Sequence, residues 1–283
     1  MPRELNGFQI IRKIADSNTA EIFQALRLTG KGRGREYALK VLRKPFARSR
    51  LERSYLETEQ RVCSDLDHPC LVGVHGLALD AERPYLVMDY VDGPALRQVL
   101  TKGLPKCSDA LGWLAQVADG LAYLHGRGYV HRDVKPQNIV IGNDGQPCLI
   151  DFALAMRQDA TRRRHWLRRL VDRKRPGTWS YMSPEQIRNL PLAGQTDVYS
   201  LGVTLYETLT RRLPYAAETQ QELLAQHLSA PIPSARSARP GLPIELDELV
   251  RGMMAKEPLD RPSGMGYVCA RLRQFAEDCA DLG

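Results

Sequence analysis

The stretch that most constrains this chain begins at His131: HRDVKPQN, then the apolar IVI, then QPCLID ending at Asp151 and running on as FALA. Short β-branched and apolar runs around NIVI and QPCLID read as strands. Any fold must therefore hold an acid, a lysine and an amide (Asp133, Lys135, Asn138) close to a second acid, Asp151. Taken singly, each such residue has an ordinary explanation. A lysine in a strand is usually a snorkelling surface residue, and a glutamate on a charged helix is usually solvated. The ordered combination is what has no bland account.

At 283 residues the chain is near the upper limit for one hydrophobic core, so one large or bilobal domain is expected. Hydrophobic residues at 43% and charged residues at 26% mark an ordinary globular protein, not a disordered tail. No apolar run approaches the ~20 residues that cross a bilayer. The opening MPRELNGFQIIRK lacks the apolar core of a signal peptide, so a cytoplasmic protein is expected. Six cysteines (Cys63, Cys70, Cys107, Cys148, Cys269, Cys279) form no C-x-x-C pair, which points to free thiols in a reducing compartment.

The first ~90 residues read as strands with one helix. FQIIRKIAD, EIFQALRL and YALKVL are short and β-branched, and the turn TGKGRGRE fits a hairpin. RSRLERSYLETEQRVCSDLD has helical periodicity and stops at His68-Pro69. LVGVHGLALD and RPYLVMDYV are two further strands. After Asp92-Gly93-Pro94 the character turns helical, beginning with ALRQVLTKG and SDALGWLAQVADGLAYLHGRG. A small sheet-rich lobe over residues 1–92 thus precedes a larger, mainly helical lobe over residues 93–283, an α+β organisation.

Lys40 in YALK, Glu59 on the next helix, HRDVKPQN, Asp151-Phe152, Ser183-Pro184-Glu185, then Asp197 and Arg261 form an ordered set. This set resembles the eukaryotic-like protein kinase family of the Ser/Thr type, from about Phe8 to about Phe275. YMSPEQ is similar to bacterial members. The resemblance implies a bilobal protein kinase fold over residues 1–283, with an activation segment at 151–185. It also implies transfer of the ATP γ-phosphate to protein Ser/Thr hydroxyls, or, in the alternative, a catalytically impaired scaffold.

Phosphoryl transfer needs an aligned hydroxyl and charge compensation more than covalent help. The resemblance assigns Asp133 to the substrate hydroxyl and Lys135 to the transferring phosphoryl group. Asn138 and Asp151 supply oxygen ligands for Mg²⁺ or Mn²⁺. Lys40 clamps the α- and β-phosphates, held by Glu59, which lies nine residues before His68. Glu57 is the runner-up, two residues away on another side of the helix. Ile22, Ala38 and Val140 sandwich the adenine. Asp89 and Val91 offer it backbone hydrogen bonds behind Met88, and Ile14, Ala15 and Ser17 belong to the phosphate loop. Glu185 with Arg261 resembles the family's buried ion pair, and Asp197 the acid that supports the catalytic loop. Cys63, Val74, His131 and Phe152 resemble its apolar spine.

The family's phosphate loop reads G-x-G-x-x-G-x-V, but Ala15, Ser17 and Ala20 stand at the glycine positions here. A Cβ in a left-handed conformation costs roughly 1–2 kcal/mol. If both Ala15 and Ser17 need that conformation, roughly 2–4 kcal/mol is lost, which is one to three decades in affinity or rate. Ala153 replaces the glycine after Asp-Phe, and its methyl is expected to restrict the backbone there.

From Arg157 to Arg175 there are nine basic residues against Asp159 and Asp172. Nine less two equals the whole formal charge of +7, so the rest of the chain is balanced. The run suits a solvated loop, an acidic substrate or regulatory partner, or nucleic acid phosphates. Trp166 is its one aromatic, so support for stacking single strands is thin. Between Phe152 and Thr178 the lone hydroxyl is Thr161, where a phosphate can pair with Arg132 and the neighbouring arginines. Gln137 places no acid beside the catalytic loop, which favours acidic or neutral peptides.

Overall fold

The computed structural model describes residues 4–158 and 179–280. The chain divides into two compact units: Met1–Asp67 with Leu71–Asp92 and Phe152–Leu154, and His68–Cys70 with Gly93–Asp151 and Ala155–Gly283.

The first unit is built on a six-stranded antiparallel sheet: β1 (Glu4–Leu5), β2 (Phe8–Asp16), β3 (Ala20–Arg27), β4 (Glu36–Leu42), β5 (Val74–Ala78) and β6 (Tyr85–Asp89), in the order β1-β2-β3-β4-β6-β5. Alternation along the strands puts Phe8, Phe23, Ala25, Tyr37, Leu39, Val41, Tyr85 and Val87 into one core. Gly30, Gly32 and Gly34 turn β3 into β4, all with positive φ. At Gly32 a Cβ would lie 2.3 Å from the Tyr37 hydroxyl, so the turn excludes side chains for two reasons. Helix α1 (Arg50–Cys63) packs on β5 and β6. It buries Tyr55, Leu56, Glu59, Val62 and Cys63, the i, i+1, i+4, i+7, i+8 stripe of an amphipathic helix. The Ser49 hydroxyl caps it by accepting the Glu52 amide hydrogen. Periodicity alone carries the helix on toward His68, but it ends at Cys63. The Ser64 amide closes the last turn on the Gln60 carbonyl, and the Leu66 amide then folds back on Cys63.

In the second unit the described helices are α2 (Leu96–Lys102), α3 (Cys107–Gly126), α4 (Pro184–Ile187), α5 (Gly194–Thr210), α6 (Gln220–Ser229), α7 (Ala235–Ala238), α8 (Ile244–Met253) and α9 (Met265–Ala280). Two small ladders accompany them: β7 (Tyr129–Val130) with β10 (Met156–Arg157), and β8 (Ile139–Ile141) with β9 (Pro147–Leu149). Helix α3 packs along α9 and against α5, burying Leu111, Leu114, Leu121 and Leu124 completely. Gly93 begins the long segment Gly93–Asp151 of this unit. A Cβ there would lie 1.9 Å from the Ile141 carbonyl oxygen, so only glycine fits. The cysteines are free thiols, and Cys107 and Cys279 bring their sulfurs to 3.5 Å where α3 meets α9. Among the described residues no helix is long and apolar enough to cross a membrane.

Candidate active site

In the first unit, β4 turns Tyr37, Leu39 and Val41 into the core and Ala38 and Lys40 to the opposite face. The register sets Ile22 opposite Lys40, and Met88 opposite Ala38. Cross-strand partners share a face, so Ile22, Ala38, Lys40 and Met88 form one surface. Lys40 Nζ lies 2.6 Å from Glu59 Oε2, and Glu59 is fully buried. The second oxygen of Glu59 accepts the Phe152 amide hydrogen at 3.3 Å. Glu57 is exposed. One buried carboxylate thus joins the Lys40 ammonium to the backbone that follows Asp151. Asp89 ends β6 with its amide committed to the Gly73 carbonyl, so that hydrogen is not available to a ligand. Its carboxylate accepts from Arg35, His75 and the Gly73 amide. Val91 follows in the same unit and is half-buried.

Ile14 and Ala15 lie in β2, and Ala15 pairs with Ile22 across an irregularity after Lys13. Among the described residues the non-glycine positions with positive φ are Asn6, Arg132, Asp151, Asn189 and Arg211. Ala15, Ser17, Ala20 and Ala153 are not among them. The cost expected for the missing glycines therefore does not arise in this conformation. The strand runs on to Asp16, and a short turn closes on the Ser17 side chain. The Ser17 amide and hydroxyl both donate to the Ala20 carbonyl, and the Ser17 hydroxyl accepts the Ala20 amide hydrogen. A serine thus does by hydrogen bonding what a glycine does by conformational freedom.

In the second unit, Asp197 in the first turn of α5 is fully buried. Its two oxygens accept the His131 and Arg132 amide hydrogens, each at 2.8 Å, and His125 Nε2 lies 2.8 Å away. Burial acts to raise the Asp197 carboxyl, but the His125 hydrogen bond and the facing donors outweigh it and hold it below the usual range. These two bonds support Arg132 at φ 72°, a region that costs a non-glycine residue about 1–3 kcal/mol. Burial keeps His131 below the usual imidazole range despite the nearby carboxylates. Its ring is then neutral, and Nδ1 lies 3.2 Å from the Asp133 amide as that hydrogen's acceptor.

The turn at Arg132 delivers the next residues into a tight group. Lys135 Nζ lies 2.8 Å from both oxygens of Asp133, and Asn138 Nδ2 donates to Asp133 Oδ2 at 3.0 Å and to the Asp133 carbonyl at 2.8 Å. All three residues are buried. Ile150, after β9, donates its amide hydrogen to the Asn138 carbonyl at 2.8 Å, which brings Asp151 beside Asn138. Asp151 has φ 66°. With its amide nitrogen held by Asp133, Asn138 turns its oxygen the other way, and Asp151 adds a carboxylate. This donor pair fits a hard divalent cation bound through one or two protein oxygens. Among the described residues no cluster of three or more His, Cys, Asp or Glu forms an all-protein cage. Val140 sits in β8 of this unit, bridged to Ala95.

Arg261 grips Glu185 with two 2.8 Å bonds, and Thr196 donates to the same carboxylate. Burial acts to raise Glu185, but Arg261 outweighs it and holds the carboxyl below the usual range. Gln186 donates to the Arg132 carbonyl at 3.1 Å, a link that sequence spacing gave no sign of. Thr161, Trp166, Thr178 and the basic residues from Arg162 to Arg175 lie outside the described residues. Arg157 is described, in β10, with its guanidinium over the Tyr129 ring.

The chain matches the protein kinase domain family over residues 8–273. The serine/threonine-protein kinase PknL of Mycobacterium tuberculosis is 34% identical over 269 residues, covering 95% of this chain and 65% of PknL. The serine/threonine-protein kinase PrkC of Bacillus subtilis is 32% identical over 255 residues, covering 90% of this chain and 38% of PrkC. The chain therefore spans only part of the length of these relatives. A crystal structure of a PknI kinase domain mutant from Mycobacterium tuberculosis superposes over 96% of both chains, with a TM-score of 0.73 at 24% identity, and shares the fold. By sequence and by fold, this chain belongs to the protein kinase domain family.

Proposed function

We propose that the chain is a protein serine/threonine kinase that transfers the γ-phosphate of ATP to Ser or Thr hydroxyls of protein substrates. The observation that carries this reading is the buried group of Asp133, Lys135 and Asn138, held by Asp197 through two backbone hydrogen bonds. Asp133 orients the acceptor hydroxyl and takes its proton. Lys135, already placed on that carboxylate, compensates charge on the transferring group. Lys40, fixed by Glu59, holds the α- and β-phosphates. Asn138 and Asp151 hold Mg²⁺, or Mn²⁺ through the same oxygens, and the ion neutralises phosphate charge. Ile22, Ala38, Met88 and Val140 contact the adenine. Asp89 and Val91 meet it through their backbones, and Ile14, Ala15 and Ser17 line the phosphates.

We read residues 1–283 as one kinase domain, with residues 1–92 and 93–283 as its lobes and 151–185 as the activation segment. Acidic or neutral peptides are the preferred substrates, and the basic run at Arg157–Arg175 meets an acidic partner. A cytoplasmic location fits the need for ATP. The scaffold alternative rested on the missing glycines, and their replacements carry no left-handed strain.

The test is transfer of labelled phosphate from ATP with Mg²⁺ to an acidic protein substrate, beside an Asp133→Asn variant. Label should appear with the wild type and fall by about 10²–10⁴ in the variant, and mapping should find autophosphorylation at Thr161. Equal label from both proteins would refute the reading.

A further inference from the structure

The turn that replaces the glycine-rich loop is held from outside by one side chain. Arg43 follows the end of β4, three residues after Lys40. Its amide donates to the Thr19 carbonyl at 2.9 Å, its Nε donates to the Ser17 carbonyl at 2.9 Å, and its Nη2 pairs with the Asp16 carboxylate. Three residues of the loop, Asp16, Ser17 and Thr19, therefore converge on one residue 26 positions away from Ser17. Lys13 adds a second cation to Asp16 at 2.9 Å and lies 3.6 Å from Glu21. Arg83 holds Glu21 at 2.6 Å and the Leu42 carbonyl at 2.9 Å, which ties the same strand ends together again. The hydrogen bond from Lys13, joined by Arg43, outweighs desolvation and keeps the Asp16 carboxyl below the usual range, so it is ionised wherever the protein is folded near neutrality.

A loop with three glycines is ordered by its ligand and pays that ordering entropy on binding. This turn has no glycine, and its ends are fastened by Ser17 and Arg43. It also carries an anion, Asp16, on a loop that faces phosphates under the proposed function; without cations beside it, Asp16 would repel them. We infer that Arg43 is the positioning residue of the phosphate loop, holding the 16–20 turn in the shape that receives the nucleotide and neutralising Asp16 there. The inference rests on ATP as the ligand of this loop. It assigns to Arg43 no contact with the substrate. Its planar fork suits the task, because Nε and Nη2 reach a carbonyl and a carboxylate at the same time, which a lysine ammonium on a flexible stem does not reproduce.

The experiment compares wild type, Arg43→Ala, Arg43→Lys and Asp16→Asn. Hydrogen exchange of the Ser17 and Ala20 amides is followed without nucleotide, and affinity for a fluorescent ATP analogue and the KM and kcat of transfer are measured. Arg43→Ala should speed exchange at both amides and weaken nucleotide binding and KM about tenfold, with kcat within about twofold. Arg43→Lys should recover part of the loss. Asp16→Asn, which leaves the Ser17 and Thr19 contacts in place, should cost less than Arg43→Ala, and it carries the test if Arg43→Ala does not fold. Unchanged exchange, unchanged or tighter nucleotide binding, or a fall in kcat at constant KM overturns the inference. If the wild type binds nucleotide but transfers nothing, the kinase reading fails while the comparison of affinities still decides on Arg43. A wild type that binds no nucleotide overturns both.

Discussion

The Ala153 methyl is buried with Tyr55 and Leu154, with Leu51 packed against them, on the helix that carries Glu59. Its φ is not positive, so the alanine sits without left-handed strain and adds apolar contact where glycine would add none. Ala153→Gly should therefore lower unfolding stability by about 1–2 kcal/mol, from one buried methyl and the added freedom of the unfolded chain. Denaturant titration checks it, and an unchanged or raised midpoint would show that the methyl contributes nothing. Strain at this scale lies elsewhere, at Arg132 and Asp151, which flank the group of Asp133, Lys135 and Asn138. The chemistry proposed for Lys40, Asp133, Lys135, Asn138 and Asp151 admits few residue types, which is why they stand out in sequence. The backbone angles of Ala15 and Ser17 do not stand out, because they depend on a strand irregularity and on Arg43.

Helix α5 positions the segment from His131 onward through its first turn. The Asp197 carboxylate accepts two backbone amide hydrogens and faces His125. Asp197→Asn leaves a single carbonyl oxygen, with an NH₂ group turned toward a donor. One buried amide then loses its acceptor, and the Arg132 turn loses half its support. The expected cost is about 2 kcal/mol or more in stability. The transfer rate should fall more than nucleotide affinity, because Asp133 and Lys135 follow the Arg132 turn directly while Lys40 and Glu59 belong to the other unit. A variant with wild-type rate would show that the turn at Arg132 holds without Asp197. Asp197 is legible from TDVYSLG, but its partner His125 is not. That contact joins residues 72 positions apart and exists only once α3 and α5 pack.

At the scale of the whole molecule, buried titratable groups set how stability varies with pH. His227 is fully buried against Tyr199 and Tyr215, and burial, followed by Lys256, pushes its imidazole down to about 3. Its ordinary value is 6.5. The folded state stays unprotonated in a range where the unfolded chain binds a proton. The stabilisation is complete above about pH 6.5 and is lost as pH falls toward 3. At about 1.4 kcal/mol per pH unit, lowering the pH from 7 to 5 should cost about 2 kcal/mol from this group alone. His131, also lowered by burial, acts in the same direction. Unfolding at the two pH values checks the slope, and a His227→Gln variant should flatten it. The same slope in the variant would assign the effect to other groups.

The order of strands and helices follows from alternation, periodicity and glycine turns, all local properties that a chain carries before it folds. The identity of the residues proposed to react is local too, because proton transfer, phosphate charge and metal ligation admit few side chains. What only the tertiary structure decided is how the unusual positions are tolerated. Ala15 and Ser17 look costly beside a family pattern of glycines, yet the turn closes on the Ser17 hydroxyl and on Arg43 from a neighbouring strand end. The buried state of Glu59 and Asp197 likewise depends on packing. Hydrogen bonds and ion pairs between residues far apart in sequence have no period or motif. They come into being only when the elements that carry them are brought together.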